Sequence, residues 1–249
     1  DKVMLDEDVT SLTSNTSTTD HSISGVETLE VEAKLADSGT AALSRTVEAD
    51  LIADITTIQI DAANNDTARG GTEDVTVTVN DIVDETIEIQ SIGSSVSTNL
   101  SSVVLNLKTD TGDSDSISIK TLNPSSTTTT VLDAITVESS DGGSTANTLP
   151  EIVNLEIGST DVSTTDGTAI ASLSLGVSET LNITGSGDAT ITAVELRDPS
   201  GTSTATINAG TYTGNLTLGT TSTGFKTTAA DTISLTLGSG TNTVDYAAE

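Results

Sequence analysis

The stretch Val26-Glu27-Thr28-Leu29-Glu30-Val31 decides the fold, and it returns 29 residues later as Ile55-Thr56-Thr57-Ile58-Gln59-Ile60. The phrase is an apolar residue, two variable residues, then apolar–polar–apolar. Its last three positions alternate with period 2, the spacing of a strand with one face turned in and one turned out. It recurs as Ile152-Val153-Asn154-Leu155-Glu156-Ile157 and as Ile191-Thr192-Ala193-Val194-Glu195-Leu196. Shorter forms are Thr86-Ile87-Glu88-Ile89, Val104-Leu105-Asn106-Leu107, Ala134-Ile135-Thr136-Val137 and Thr180-Leu181-Asn182-Ile183, followed by Asn215-Leu216-Thr217-Leu218 and Ser234-Leu235-Thr236-Leu237.

The first members of these apolar pairs stand at 29, 58, 87, 105, 135, 155, 181, 194, 216 and 235, so the intervals are 29, 29, 18, 30, 20, 26, 13, 22 and 19. Spacings of about 20 to 30 residues exceed a hairpin return and match one coil of a solenoid. Further alternating segments lie between the phrases, among them Val75–Val79, Ile117–Ile119, Leu173–Leu175 and Thr204–Ile207. The expected fold is therefore all-β, an elongated parallel β-solenoid (β-helix) with irregular coils. The alternative is a string of tandem antiparallel β-sandwich modules, in which Val75–Val79 and Ile87–Ile89 would form a hairpin across a seven-residue loop. Leu43, Val47 and Leu51 have helical spacing and predict a short helix within Ala41–Asp54. Residues 1–24 read as a lead-in or edge strand, and residues 25–249 as the solenoid repeat region, a segment of a longer secreted polypeptide.

Composition narrows the function. The 249 residues include 37 acidic and 8 basic side chains, a formal net charge of −29, with no Cys, no Trp, one Phe and two Tyr. High charge with few aromatics is the mark of disorder. Here, however, the apolar 34% is ordered into alternating Val, Ile and Leu. Stacked aliphatic side chains fill a narrow solenoid core, where a large ring would not fit every coil. Gly and Asp punctuate its corners, as in Gly70-Gly71, Asp110-Thr111-Gly112 and Gly185-Ser186-Gly187.

Eight scattered cations make no nucleic-acid footprint, and no apolar run is long enough for a membrane-spanning helix. Without Cys there is no disulfide, zinc-thiolate or thiol chemistry. A single His21 leaves little acid–base chemistry near neutrality. Arg45, Arg69 and Arg197 stand apart from one another, so the base of a calcium-dependent polysaccharide lyase is not in view. The reading is of a structural protein and not an enzyme. An ice-binding Thr ladder would need one fixed coil period, which these intervals do not show.

The phrase Glu179-Thr180-Leu181-Asn182-Ile183-Thr184-Gly185-Ser186-Gly187-Asp188-Ala189-Thr190-Ile191 resembles the strand repeats of bacterial surface-layer proteins exported by type I secretion, of the Caulobacter and Campylobacter fetus type. Leu237-Gly238-Ser239-Gly240-Thr241-Asn242-Thr243-Val244 is similar to the repeats-in-toxin (RTX) nonapeptide, Gly-Gly-x-Gly-x-Asp-x-apolar-x. Gly238, Gly240 and Val244 fit that motif, whereas Asn242 stands where the calcium-ligating Asp belongs, and Asp188 is displaced by one residue. The resemblance in repeat style covers about residues 25–249. It implies a β-solenoid, an extracellular place at the cell surface (an S-layer) and dependence on Ca2+.

Calcium takes about six to eight oxygen ligands, which acidic corners beside Gly can supply. The densest corner is Asp110-Thr111-Gly112-Asp113-Ser114-Asp115, and the second is Asn80-Asp81-Ile82-Val83-Asp84-Glu85. The candidate ligands are Asp81, Asp84, Asp110, Asp113, Asp115, Asp188 and Asn242. Like charges on neighbouring coils, about 4.8 Å apart, repel, and 8 cations cannot neutralise 37 carboxylates. Divalent cations supply the missing counter-charge in this reading.

The expected function is a structural subunit of an extracellular surface layer or fibre, self-assembling and bridged by calcium. Its partners would be copies of itself and cell-surface polysaccharide, with neither nucleic acid nor membrane insertion. The alternative is the stalk or passenger region of a large secreted adhesin. Charge is uneven along the chain: 20 acids lie in residues 1–100, 17 in 101–249, and three after residue 200. The neutral, Thr-rich C-terminal part is the expected packing surface, and the acidic first half the expected place for cations.

Overall fold

The structure, a computed structural model, describes residues 2–5, 25–32, 43–52, 54–61, 75–90, 100–108, 115–122, 130–139, 150–158, 167–175, 180–197, 204–219, 225–228 and 232–245. In chain order the strands are β1 (Lys2–Leu5), β2 (Thr28–Glu32), β3 (Leu43–Glu48), β4 (Thr57–Asp61), β5 (Val75–Ile82) and β6 (Thr86–Gln90). Next come β7 (Leu100–Leu107), β8 (Ser116–Leu122), β9 (Thr130–Ser139), β10 (Ile152–Ile157), β11 (Gly167–Ser174) and β12 (Thr180–Gly185). The last are β13 (Asp188–Arg197), β14 (Thr204–Asn208), β15 (Leu216–Leu218), β16 (Phe225–Thr228), β17 (Thr232–Thr236) and β18 (Asn242–Val244). Among the described residues no helix is long and apolar enough to cross a membrane.

Two parallel sheets face each other in a β-solenoid. Sheet one runs β1-β2-β4-β6-β8-β10-β12-β14-β17, and sheet two runs β3-β5-β7-β9-β11-β13-β15-β18, with β16 also pairing β13. From β2 to β15 the chain alternates between the sheets, so each coil contributes one strand to each. The antiparallel alternative is excluded at its own test case. β5 and β6 lie in different sheets, and every strand pairing among the described residues is parallel.

Side-chain alternation builds the core. In sheet one, Leu29, Ile58, Ile87, Ile119, Leu155 and Ile183 stack in register. In sheet two, Val77, Val103, Ile135, Leu173 and Val194 do the same. All eleven are buried, at 0–1% exposure. Fully burying such a side chain stabilises by roughly 1.5–3 kcal/mol, and the stack repeats that contribution coil after coil.

The irregular intervals of the sequence phrase now have a cause. Leu29, Ile58 and Ile87 belong to sheet one, Leu105 and Ile135 to sheet two, Leu155 and Leu181 to sheet one, and Val194 and Leu216 to sheet two. The series interleaves two columns. True coil lengths still vary. Ile170 pairs Ile191, 191 − 170 = 21 residues on, whereas Ile135 pairs Leu173, 173 − 135 = 38 residues on. The connections absorb this variation and the strand register stays regular, as in Thr28↔Thr57↔Thr86.

The helix expected within Ala41–Asp54 is instead β3 followed by a 3-10 turn at Ala49–Leu51. Burial alternates there, with Arg45 and Val47 in and Ser44 out. The β-branched Thr46 and Val47 favour the strand, and pairing with β5 overrides the helical spacing. Arg45 turns out to be a core-column residue, 8% exposed and in register with Val77.

Candidate functional site

The acidic corners are the candidate sites. Their described parts differ in how the carboxylates are satisfied.

At the turn between β5 and β6, Asp81 has φ +55°, a left-handed conformation that Asp tolerates better than most residues. The Glu85 carboxylate folds back on the turn, and its Oε2 accepts the N–H groups of Val83 at 2.7 Å and Asp84 at 3.2 Å. Glu85 is 6% exposed, while Asp84 is exposed. Lys108, one coil on, donates its backbone N–H to the Ile82 carbonyl. Its ammonium reaches back past this corner to Asp50 Oδ2, at 2.7 Å. That hydrogen bond raises the Lys108 pKa, and the charges of Asp50, Asp81 and Glu85 add to the rise. At this corner the chain supplies its own cation.

At the glycine-rich corner between β12 and β13, the coils come closest. A Cβ on Gly214 would meet the Gly187 carbonyl, and one on Gly240 would meet the Gly214 carbonyl, so only glycine fits this column. Asp188 Oδ1 accepts the Asn215 N–H, and Asn215 Oδ1 accepts the Thr241 N–H, both at 2.9 Å. Asp188 therefore holds the next coil's backbone. Asn242 pairs with Leu216, placing it in a core column. Its Nδ2 donates to the carbonyls of Gly238 at 3.1 Å and Gly240 at 2.8 Å. Amide hydrogens thus face the two carbonyls that a cation would otherwise gather. Tyr212 fills the same corner, fully buried, its hydroxyl donating to the Gly187 carbonyl. Burial raises its pKa, and the Asp188 charge adds to the effect.

The corner before β8 and β10 is different. The Asp115 N–H donates to Glu151 Oε2 at 2.9 Å, and the Ile152 N–H donates to the Asp115 carbonyl. Asp115 Oδ2 is buried without a hydrogen-bond partner. Two carboxylates on adjacent coils, one with a stranded oxygen, fit an oxygen-seeking cation such as Ca2+ better than the other two corners do. Asp110 and Asp113 lie outside the described residues. Among the described residues, no three or more of His, Asp and Glu cluster as a metal cage.

The sequence reading missed Glu151, Lys108, Glu85 and Tyr212. Lys108 and Asp50 are 58 residues apart, and Asp115 and Glu151 are 36 apart. No local spacing joins such pairs.

Amide ladders run along both outer faces. On sheet one, Asn182 donates to Asn154 at 2.9 Å and Asn208 to Asn182 at 3.4 Å. On sheet two, Asn106 donates to Asn80 at 2.7 Å, and Asn80 to Glu48 at 3.0 Å. Charge, by contrast, is divided between the faces. The outward column Glu30–Gln59–Glu88–Lys120–Glu156 of sheet one is mostly ionic, with Lys120 lying 4.0 Å from Glu88 and 3.4 Å from Glu156. The corresponding outward column of sheet two is Thr46–Thr78–Val104–Thr136–Ser174. No family model, curated protein or solved structure gives a significant match to this chain.

Proposed function

We propose that the chain is a structural subunit of an extracellular surface layer or fibre, built by self-association and bridged by calcium. The observation that carries this reading is the continuous parallel stack. Each sheet adds strands along one axis, and at the β17–β18 rung the core surfaces. Leu235 continues the column of Leu181 and Ile207, both fully buried, yet is 37% exposed, and the adjacent Leu237 is 38% exposed. A parallel edge with apolar side chains beside it is a template for a further coil.

Charge supports a role for calcium. A chain of net charge −29 cannot pack against itself closely without counter-ions. Of the candidate ligands, Asp115 with Glu151 fits a bridging cation best. Asp110 and Asp113 precede it in the same acidic segment, while Asp81, Asp84, Asp188 and Asn242 stand at corners already held by Lys108, Glu85 or backbone donors.

The test is negative-stain microscopy and sedimentation of the purified chain with calcium and with EDTA. Ordered arrays or filaments that dissolve in EDTA are the expected result. Assembly that persists in EDTA removes calcium from the proposal. Monodisperse rods under both conditions overturn self-assembly and favour the adhesin-stalk reading.

A further inference from the structure

Self-association needs a lateral contact as well as an axial one, and the division of charge between the sheets points to where it lies. A second copy also carries −29, so close approach through the ionic face of sheet one sets Glu88 and Glu156 of one copy against those of the other. Sheet two offers a different surface. Its outward columns hold Thr46, Thr78, Val104, Thr136 and Ser174, flanked by Ser44, Thr76 and Ser102, and further along by Thr190, Thr217 and Thr243. Charged side chains stand at its margins. Glu48 and Glu138 share the rim column with Asn80 and Asn106, and Glu195 is in register with Lys226.

We propose that the outer face of sheet two is the lateral interface, and that its occupant is the same face of a second copy. This rests on the self-assembling reading above and names the surface used. Short side chains allow two sheets to approach to about 10 Å, as in aligned sheet packing. Size supports the commitment. β5, β7 and β11 have eight residues each, and β9 and β13 have ten. At about 3.3 Å per residue and 4.8 Å per strand, β3 to β13 span roughly 26 Å by 29 Å. Two such faces bury on the order of 1,500 Å² together, the size of a stable specific interface. A two-fold contact is self-complementary, and Val104, in the middle of its column, lies beside the axis of such a pair.

The absence of cysteine makes the test direct. Single variants Val104→Cys on sheet two and Ser118→Cys on sheet one are treated with a short bismaleimide. Circular dichroism checks that both remain folded. Cross-linked dimer from Val104→Cys and monomer from Ser118→Cys is the expected result. A second variant, Val104→Glu, places like charges across the axis and weakens lateral dimerisation by roughly tenfold or more. Equal cross-linking of both sites, or cross-linking at Ser118→Cys alone, overturns the inference.

The two proposals fail separately. Arrays by microscopy without Val104 cross-linking sink the interface and leave the assembly reading intact. Val104 dimers that never assemble further support the interface and sink the layer. A protein that stays monomeric while inhibiting ice growth or binding polysaccharide through Val104 overturns the choice of a second copy.

Discussion

The two outer faces of the solenoid are built on the same backbone and lined by the same kind of core, yet they present opposite chemistry. At equivalent outward positions sheet one sets Glu30, Gln59, Glu88, Lys120 and Glu156, and sheet two sets Thr46, Thr78, Val104, Thr136 and Ser174. The inward columns are interchangeable aliphatics, because each has the same narrow space to fill. Outward positions carry no such constraint. They are free to record what each face meets, counter-ions on one side and an uncharged surface on the other.

The largest expected effect tests the sameness of the interior. Ile87→Ala in sheet one and Ile135→Ala in sheet two, both fully buried, should each lose about 2–5 kcal/mol in urea unfolding. A loss confined to one sheet breaks the symmetry of the core.

Tyr212→Phe comes next, because it leaves the Gly187 carbonyl without its buried donor. The expected loss is about 1–3 kcal/mol. The folded-state pKa of Tyr212 is raised. Its contribution is therefore fully present below its unfolded value, near pH 10, and falls as pH rises above that. The Phe variant should lack this alkaline component when its stability is followed from pH 9 upward.

Lys120→Glu would align three carboxylates on sheet one between Glu88 and Glu156. About 1 kcal/mol should be lost at low salt and largely recovered at high salt. Thr136→Glu on sheet two should change monomer stability by less than about 0.5 kcal/mol. Equal losses from the two would mean that the faces do not differ electrostatically.

The smallest effect is expected for Lys108→Gln, whose exposed ion pair with Asp50 is screened by solvent. With the lysine pKa raised, the contribution of that pair is present below the unfolded value near pH 10.4 and lost as pH climbs through the folded one. A slight loss, visible at low salt and neutral pH and gone at strongly alkaline pH, is the expected outcome of a salt and pH series.

The candidate corners show how far local reading extends. Asp81 and Gly185 were legible as turn residues, and both adopt positive φ. The partners of Asp115 and Asp188 were not. A carboxylate's environment here is set by the residue one coil away, and that offset varies from coil to coil. The helical spacing of Leu43, Val47 and Leu51 misled for the same reason: pairing with β5, more than 30 residues downstream, outweighed a local pattern.

The sequence by itself determined that this is a strand-built protein with an aliphatic core, Gly and Asp corners and a large excess of acid. Period-2 alternation and turn chemistry are properties of a few adjacent residues. Only the tertiary structure decided which phrase belongs to which sheet, and with that how the charge is distributed. Along the chain the acids thin out from the first half to the end. Around the solenoid they gather on one face and leave the other nearly bare. The physical reason is that register is fixed by backbone hydrogen bonds between residues 21 to 38 positions apart. Connections of unequal length hide that register from any fixed-period reading.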